Sequence, residues 1–167
     1  MEKIIFIDRD GTLIIEPTGT ELVSCLEEMT FLPKVISSLA GLRKAGFKLV
    51  IITNQSGLGT PDNPRDNYEL INRKMLEVFK GEDVIFSEFF ECPHSSKDKC
   101  ECRKPKTGMV KEYLTNNDID LENSYVIGDR HSDMEFAENI NIKGLMLSEK
   151  QNLGAITNII LKNYREK

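Results

Sequence analysis

Two aspartates follow a short apolar segment near the amino terminus of the chain. Residues 4 to 7 read Ile-Ile-Phe-Ile, and Asp8 and Asp10 come directly after them in the run Asp-Arg-Asp-Gly-Thr. Four consecutive β-branched or aromatic residues predict a strand that is buried on both faces. Ligands bind beyond the carboxyl ends of strands in an open α/β sheet, so both carboxylates are expected to face a crevice. A carboxylate pair at such an edge is typical of a divalent-cation site.

Further polar residues follow other apolar segments. Thr53 and Asn54 come at the end of the second such segment, and Asp129 comes just after the fourth. Because the carboxyl ends of parallel strands meet at one edge of a sheet, these side chains should converge with the first pair. Asp8, Asp10 and Asp129 would form an oxygen-rich site without histidine, which favours Mg²⁺ over a softer transition metal.

Phosphoryl transfer is the chemistry that fits these residue types. Lys104 supplies a fixed positive charge, and Thr53 and Asn54 supply hydrogen-bond donors. The reaction requires that charge on the equatorial phosphoryl oxygens is neutralised and that the nucleophile is held in line. A carboxylate can itself be that nucleophile and form an aspartyl-phosphate intermediate. The residues therefore predict an enzyme that acts on phosphate esters.

Apolar segments alternate with helical patterns along the chain. This alternation predicts an α/β fold, a Rossmann-like doubly wound parallel sheet with helices on both faces and right-handed crossovers. Residues 13–30 lack a helical period and predict a small flap after strand 1. Residues 1–167 are expected to form a single domain. The predicted strands cover residues 4–7, 48–52, 86–91, 125–127 and 144–147.

Proline and capping signals set the predicted helix starts. Pro33 suits the first position of the first helix. Asp66 with Glu69 predicts the start of the second. Ser132 and Glu135 have the spacing of a capping box and predict a further helix that begins at Ser132.

Composition and charge limit which partners the protein is expected to bind and where in the cell it is expected to act. The chain has 167 residues and a formal charge of -5, with its basic residues scattered. Scattered basic residues predict no positively charged patch that could bind nucleic acid or an anionic membrane surface, so neither is an expected partner. No apolar segment approaches the length that crosses a bilayer, and the amino-terminal residues do not resemble a signal peptide. We therefore expect a cytoplasmic protein.

Three of the four cysteines lie close together. Cys92, His94, Cys100 and Cys102 form the pattern Cys-x-His-x5-Cys-x-Cys. In a reducing compartment this clustering indicates a metal and not disulfides. Three sulfurs and one imidazole are enough for a closed tetrahedral site, so the metal is predicted to be structural Zn²⁺ in a zinc-binding loop.

The ordered set of motifs resembles that of the haloacid dehalogenase superfamily of phosphohydrolases. The resemblance implies that Asp8 attacks phosphorus and ligates Mg²⁺. It also implies that Asp10 protonates the leaving oxygen and then activates the water that hydrolyses the aspartyl-phosphate. The motifs are Asp8-x-Asp10-Gly-Thr, Thr53-Asn54, Lys104 within Arg-Lys-Pro, and Gly-Asp129 followed by Asp133.

The same resemblance implies roles for the remaining polar residues. The backbone carbonyl of Asp10 and the carboxylate of Asp129 would be further Mg²⁺ ligands. Asp133 would support the metal site indirectly. The residues that would hold the transferring phosphoryl group are Thr53, Asn54 and Lys104.

A zinc loop followed by Cys-Arg-Lys-Pro resembles one branch of the superfamily, which contains histidinol-phosphate and heptose-bisphosphate phosphatases. The interval between the two ligand pairs is short, and Ser-Gly-Leu-Gly-Thr-Pro follows Thr-Asn-Gln where the heptose branch has a basic stretch. Both features resemble the phosphatase domain of bifunctional histidine-biosynthesis enzymes over nearly the whole chain. Those enzymes continue into an imidazoleglycerol-phosphate dehydratase domain. The chain is therefore expected to be either a free-standing phosphatase or part of a longer protein.

L-histidinol phosphate, a small phosphate ester, is the expected substrate. Its amine is cationic, and Glu16 in the flap is a candidate partner for it, since an unpaired buried charge excludes neutral sugar phosphates. Arg103, directly after the zinc loop, is a second candidate substrate contact. The alternatives are a D-glycero-D-manno-heptose 1,7-bisphosphate phosphatase and an inactive zinc-stabilised binding module. The chain is expected to be a monomer or a weak dimer.

Overall fold

A single parallel sheet forms the centre of the molecule. The computed structural model describes residues 1–19 and 22–165. The strands are β1 (Ile4–Ile7), β2 (Lys48–Asn54), β3 (Phe86–Cys92), β4 (Tyr125–Gly128) and β5 (Lys143–Met146). Their order is β3-β2-β1-β4-β5, and β1 pairs in parallel with β2 on one side and with β4 on the other. The strand order switches sides at β1, because β2 and β3 lie on one side of it and β4 and β5 on the other, and this switch opens a crevice beyond the carboxyl ends of β1 and β4.

Helices cover both faces of this sheet, which confirms the predicted α/β class. Ile5 and Ile7 pack in one core with the first, second and fifth helices, and Ile4 and Phe6 pack in another with the third and fourth. The alternation follows from the two-residue period of a strand. No helix within the two described ranges is long and apolar enough to cross a membrane. The helices are α1 (Val35–Lys44), α2 (Arg65–Gly81), α3 (Lys111–Asn116), α4 (His131–Asn139) and α5 (Leu153–Arg165).

Two predicted helix starts are displaced by one or two residues. α1 begins at Val35, because Lys34 adopts a left-handed conformation with φ 65° and separates Pro33 from the helix. Pro33 is therefore not the first helical residue. α2 begins at Arg65, one residue before the predicted Asp66.

The predicted capping pair of α4 is wrong. The backbone N–H of Arg130 donates to Oδ2 of Asp133 at 3.1 Å, so Asp133 is the acidic residue of the capping box. The helix begins at His131, directly after the turn that follows β4, and this places Asp133 rather than Glu135 three residues beyond the cap. The predicted start at Ser132 is one residue late.

The flap, residues 13–30, is anchored at its base. Leu13 and Ile14 are fully buried, and Ile14 forms an isolated antiparallel bridge with Phe31. A short 3-10 turn, Leu26–Glu28, lies within the flap. The flap therefore leaves the sheet next to the aspartates that end β1 and returns to it at α1.

Candidate active site

Asp8 lies where the two central strands end together. Its backbone N–H donates to the carbonyl of Ile127 on β4 at 2.9 Å. The chain then turns at Gly11, which has a φ of 73° that other residues rarely adopt. The residues Asp8 and Asp10 are 5% and 6% exposed, so two acidic groups are buried at the predicted sheet edge.

Lys104 neutralises part of this buried charge. Its Nζ donates to Oδ1 of Asp8 at 2.7 Å, to Oδ1 of Asp133 at 2.6 Å and to the carbonyl of Ile52 at 2.9 Å. Burial opposes the charged ammonium, but the carboxylates of Asp8 and Asp133 outweigh it and raise the pKa of Lys104. Lys104 is thus a fixed cation between two acids.

The carboxylates of Asp8, Asp129 and Asp133 meet within 4.8 Å of one another. Burial, and then the charge of Asp8, raises the pKa of Asp129 and raises that of Asp133 to about 6. A single lysine does not balance three acids, and oxygen donors suit Mg²⁺. The donor set therefore fits a hard divalent cation.

Two glycines leave room for these carboxylates. A Cβ atom on Gly11 would meet Oδ2 of Asp129, and one on Gly128 would meet Oδ2 of Asp133, both at distances that real Cβ atoms never show. Asp133 already accepts from Lys104 through Oδ1 and from the Arg130 backbone through Oδ2. Its contacts fit the predicted supporting role better than direct metal ligation.

Asp10 is held by two neighbours that sequence reasoning did not single out. Arg9 forms an ion pair with Oδ1, and Nε2 of Gln55 donates to Oδ2 at 2.6 Å. Burial raises the pKa of Asp10, while the Arg9 guanidinium acts in the opposite direction. A carboxyl with a raised pKa is suited to proton transfer near neutral pH.

Thr53 and Asn54 have different surroundings. The hydroxyl oxygen of Thr53 accepts from Nε2 of Gln55 at 2.8 Å, which leaves its proton for another acceptor. Asn54 binds the backbone of Lys104 through both ends of its amide, at 3.0 and 3.2 Å. Thr53 remains a candidate hydrogen-bond donor to a phosphoryl oxygen, whereas the contacts of Asn54 hold the backbone of Lys104 in position.

A cavity of about 160 Å³ opens in front of these residues. Glu16, Arg103 and Arg130 are among the residues that line it, as are Asp8 and Lys104. Glu16 forms an ion pair with the Arg130 guanidinium, and Nη1 of Arg103 donates to the carbonyl of His94 at 2.9 Å. Burial raises the pKa of Glu16. Both predicted substrate contacts thus lie at the cavity, and each already has a protein partner.

The predicted zinc ligands come together in one cluster. The three sulfurs of Cys92, Cys100 and Cys102 lie 3.1 to 3.6 Å apart, and Nδ1 of His94 lies 3.1 and 3.7 Å from two of them. Tetrahedral zinc with Zn–S bonds of about 2.3 Å places its sulfurs about 3.8 Å apart. The cluster is slightly tighter than that, and its donor set and spacing fit Zn²⁺.

Signals for the missed residues exist in part. Arg9 comes two residues after the buried strand β1, and a charged residue that is buried there requires a counter-charge nearby. Gln55 lies two residues after Thr53, so strand alternation turns it toward the same side. Arg130 follows Asp129 directly, but nothing in the sequence indicates that it pairs with Glu16.

The family model for Polynucleotide kinase 3 phosphatase matches residues 3–147 of the chain. The chain belongs to this family. The match covers all the residues that the cavity and the zinc cluster contribute, from β1 to the turn after β4 and on to β5.

Two curated relatives extend over the whole chain. The histidine biosynthesis bifunctional protein HisB of Buchnera aphidicola subsp. Schizaphis graminum is 46% identical over an alignment 168 residues long, which covers 99% of this chain and 47% of the relative. HisB of Campylobacter jejuni subsp. jejuni is 45% identical over 98% of this chain and 46% of its own length. The chain thus spans about half the length of these relatives.

A solved structure shares the fold. The D,D-heptose 1,7-bisphosphate phosphatase from B. bronchiseptica, complexed with magnesium and phosphate, superposes with a TM-score of 0.85 and is 26% identical. The alignment covers 96% of this chain and 99% of that one. These findings confirm the predicted membership of the haloacid dehalogenase superfamily and the predicted enzyme class, a phosphatase.

Proposed function

We propose that this family member hydrolyses L-histidinol phosphate to L-histidinol and inorganic phosphate, with Mg²⁺, through an aspartyl-phosphate intermediate in histidine biosynthesis. The observation that carries the proposal is the convergence of buried Asp8 and Lys104 with half-buried Asp129 beyond the ends of the two central strands. The 46% identity to a histidine-biosynthesis protein over 99% of the chain supports the choice of pathway.

The first step is attack on phosphorus. A carboxylate oxygen of Asp8 forms a bond to phosphorus while the bond between phosphorus and the ester oxygen breaks. The leaving oxygen takes the proton of the Asp10 carboxyl, so that L-histidinol departs with a neutral hydroxyl group and not as an alkoxide. The raised pKa of Asp10 supports a carboxyl that holds this proton before the step.

The second step returns the enzyme to its starting state. A water molecule attacks phosphorus of the aspartyl-phosphate and gives a proton to the Asp10 carboxylate, and the bond between phosphorus and Asp8 breaks. Lys104 and the hydroxyl of Thr53 hold the phosphoryl oxygens during both steps. Inorganic phosphate is then released, and Asp10 again carries a proton.

Mg²⁺ would be held by Asp8, Asp129 and the backbone carbonyl of Asp10, and it supplies positive charge that offsets the charge on the phosphoryl oxygens. Asp133 would support this site through Lys104, because its Oδ1 accepts a hydrogen bond from the Lys104 Nζ at 2.6 Å. The magnesium in the heptose-bisphosphate phosphatase structure is consistent with the same cofactor here.

Zn²⁺ in the Cys92, His94, Cys100 and Cys102 cluster would be structural. All four ligand positions come from the protein, so no position remains for a reacting water. The loop returns to the sheet two residues after Cys102, at Lys104, and the carbonyl of His94 holds Arg103. Zinc would thus fix the path of the chain that leads to the phosphoryl-binding lysine.

Substrate choice rests on the cavity mouth. Glu16 would pair with the cationic amine of L-histidinol phosphate, which requires that it exchange or share its ion pair with Arg130. Changing Glu16 to Gln should raise KM for L-histidinol phosphate far more than for a generic phosphate ester. Equal effects on both substrates would exclude this role for Glu16.

One rival substrate has a specific observation in its favour. The chain superposes on a D,D-heptose 1,7-bisphosphate phosphatase with a TM-score of 0.85. The identity to that protein is 26%, against 46% to the histidine-biosynthesis relative. A direct comparison of kcat/KM for the two substrates decides between them.

The test is phosphate release by the purified protein. We expect release from L-histidinol phosphate that needs Mg²⁺, exceeds release from heptose bisphosphate, and falls by roughly 10³-fold or more in Asp8→Asn. Asp66→Asn, an exposed acid on α2, is the matched control and should keep full activity. Activity on the heptose alone would change the substrate, and no activity on any ester would favour the inactive binding module.

A further inference from the structure

Arg9 is a charged side chain in the interior of the protein. It stands between Asp8 and Asp10 and is 1% exposed. Its guanidinium forms an ion pair with Asp10, its Nε donates to Oδ1 of Asn72 at 2.8 Å, and its Cζ lies 5.2 Å from the centre of the Tyr68 ring. A guanidinium stays charged when it is buried, so it needs partners of this kind.

These contacts fix the orientation of Asp10. Oδ1 of Asp10 forms the ion pair with Arg9, and its Oδ2 accepts from Gln55 at 2.6 Å, so both oxygens of the carboxyl group have a protein partner. Each carboxyl oxygen has a second lone pair, which leaves a position for the transferred proton. Proton transfer requires the acid to be within hydrogen-bond reach of the leaving oxygen, and a carboxyl free to rotate would seldom be there.

We infer that Arg9 is a positioning residue for Asp10, and that Asn72 on α2 in turn positions Arg9. The inference rests on the proposed function, in which Asp10 gives a proton to the leaving oxygen. Arg9 itself lies behind Asp10 and is absent from the residues that line the cavity, so it acts through Asp10 and not on the substrate.

The dependence on the leaving group separates this role from a structural one. A poor leaving group needs a proton from the acid as the ester bond breaks, whereas a nitrophenolate leaves without one. Loss of the orientation of Asp10 should therefore slow poor leaving groups selectively. Loss of general stability would slow every ester by the same factor.

The experiment measures first-turnover release of phenols from a series of substituted phenyl phosphates, by rapid quench with saturating Mg²⁺. We expect Arg9→Met to slow phenyl phosphate by roughly 100-fold and p-nitrophenyl phosphate by less than about threefold. Arg9→Lys keeps a cation at the position and should recover most of the loss. Arg73→Met removes an exposed arginine of α2 and is the matched control, expected to follow the wild type.

Two results would overturn the inference. An equal loss for all leaving groups would make Arg9 a structural residue, and no loss would mean that Asp10 is oriented without it. If Arg9→Met does not fold, Asn72→Ala keeps the guanidinium and removes the acceptor of its Nε. That variant should give a smaller loss with the same leaving-group dependence, and a uniform loss or none would contradict the inference.

Failure of the proposed function is distinguishable in the same series. If the wild type turns over none of the esters in Mg²⁺, both the proposed function and the role of Arg9 fail. If the wild type turns over the phenyl phosphates but not L-histidinol phosphate, the proposed substrate is wrong. The role of Arg9 is then still decided by the slope of rate against leaving group.

Discussion

The side chain of Asn54 and the backbone of Lys104 are joined by two hydrogen bonds. The Lys104 N–H donates to Oδ1 of Asn54 at 3.0 Å, and Nδ2 of Asn54 donates to the Lys104 carbonyl at 3.2 Å. The end of β2 thus holds the chain at the point where the zinc loop returns to the sheet. One N–H of the amide remains for a ligand.

Loss of the two hydrogen bonds between the Asn54 amide and the Lys104 backbone should displace Lys104. We expect Asn54→Ala to lower kcat by roughly tenfold or more and to speed hydrogen exchange of the Lys104 amide, which loses its acceptor. Asn117→Ala removes an amide that binds the Tyr113 carbonyl far along the chain, at the end of α3, and serves as control. A rise in KM with no change in amide exchange would instead assign Asn54 to direct phosphate binding.

Lys104 should also be a large contributor to stability in the metal-free protein. Lys104→Met leaves Asp8 and Asp133 buried without their shared cation, and loss of one partner of a buried pair typically costs about 3–5 kcal/mol. We expect urea unfolding in EDTA to report this loss and Mg²⁺ to recover part of it. Lys74→Met, which breaks an exposed pair with Glu77, should leave the unfolding midpoint nearly unchanged.

An equal effect of Lys104→Met with and without Mg²⁺ would contradict that account. It would mean that the lysine contributes through packing and not by balancing the charge of the two acids.

Protons should compete with Mg²⁺ at the carboxylate cluster. Burial, and then the charge of Asp8, raises the pKa of Asp129 and raises that of Asp133 to about 6. A bound cation favours the ionised acids, so the affinity for Mg²⁺ should weaken as the pH falls from about 7.5 to about 5.5, by up to about tenfold per pH unit for each proton bound. Calorimetric titration at three pH values measures this, and a constant affinity would exclude the competition.

Removal of zinc should affect the phosphatase site through the loop. We expect about one zinc per chain by elemental analysis, and both Cys102→Ser and strong chelators should remove it and lower Tm. Cys25→Ser, outside the cluster, is the matched control. Full phosphatase activity in zinc-free protein would show that Lys104 does not depend on the loop for its position.

Gly11 should be essential for the position of Asp129. In Gly11→Ala, a methyl group would collide with Oδ2 of Asp129, and we expect a large loss of Mg²⁺ affinity. Gly59→Ala is the matched control, because Gly59 also has a positive φ, 94°, but nothing lies within 4 Å of the added methyl group. It should lose about 1 kcal/mol of stability from backbone strain and keep its affinity for Mg²⁺. Equal losses of affinity would make strain, not collision, the cause.

Much of the fold was predictable because its strands are short, apolar and buried. β1 is the sequence Ile-Ile-Phe-Ile with all four residues fully buried, and the unbroken run of β-branched or aromatic residues before the Asp-Arg-Asp-Gly-Thr turn identifies it. The start of α4 could not be predicted, because it depends on which backbone N–H donates to the Asp133 carboxylate after the turn. Such a choice belongs to the local path of the chain and is not visible in residue spacing.

The candidate site likewise has features that the sequence predicts and features that it does not. Residues at strand ends, such as Asp8 and Asp129, converge because the sheet is parallel, which the sequence indicates. The partners of Arg9 and Asn54 lie 63 and 50 residues away along the chain, on α2 and after the zinc loop. Only the packed structure determines that such distant segments meet.

The hydrogen bond between the Asp8 N–H and the Ile127 carbonyl joins the ends of β1 and β4 at 2.9 Å, independently of the flap and the zinc loop. Asp8, the proposed nucleophile, is therefore held by the central strands, while Glu16 and Arg103 reach the cavity from the flap and from the loop that contains the cysteine cluster. For protein engineering, this arrangement separates reaction from selectivity. We expect that flaps of altered length or sequence can be exchanged on this scaffold to redirect it to new phosphate esters, provided that the loop that leads to Lys104 is kept.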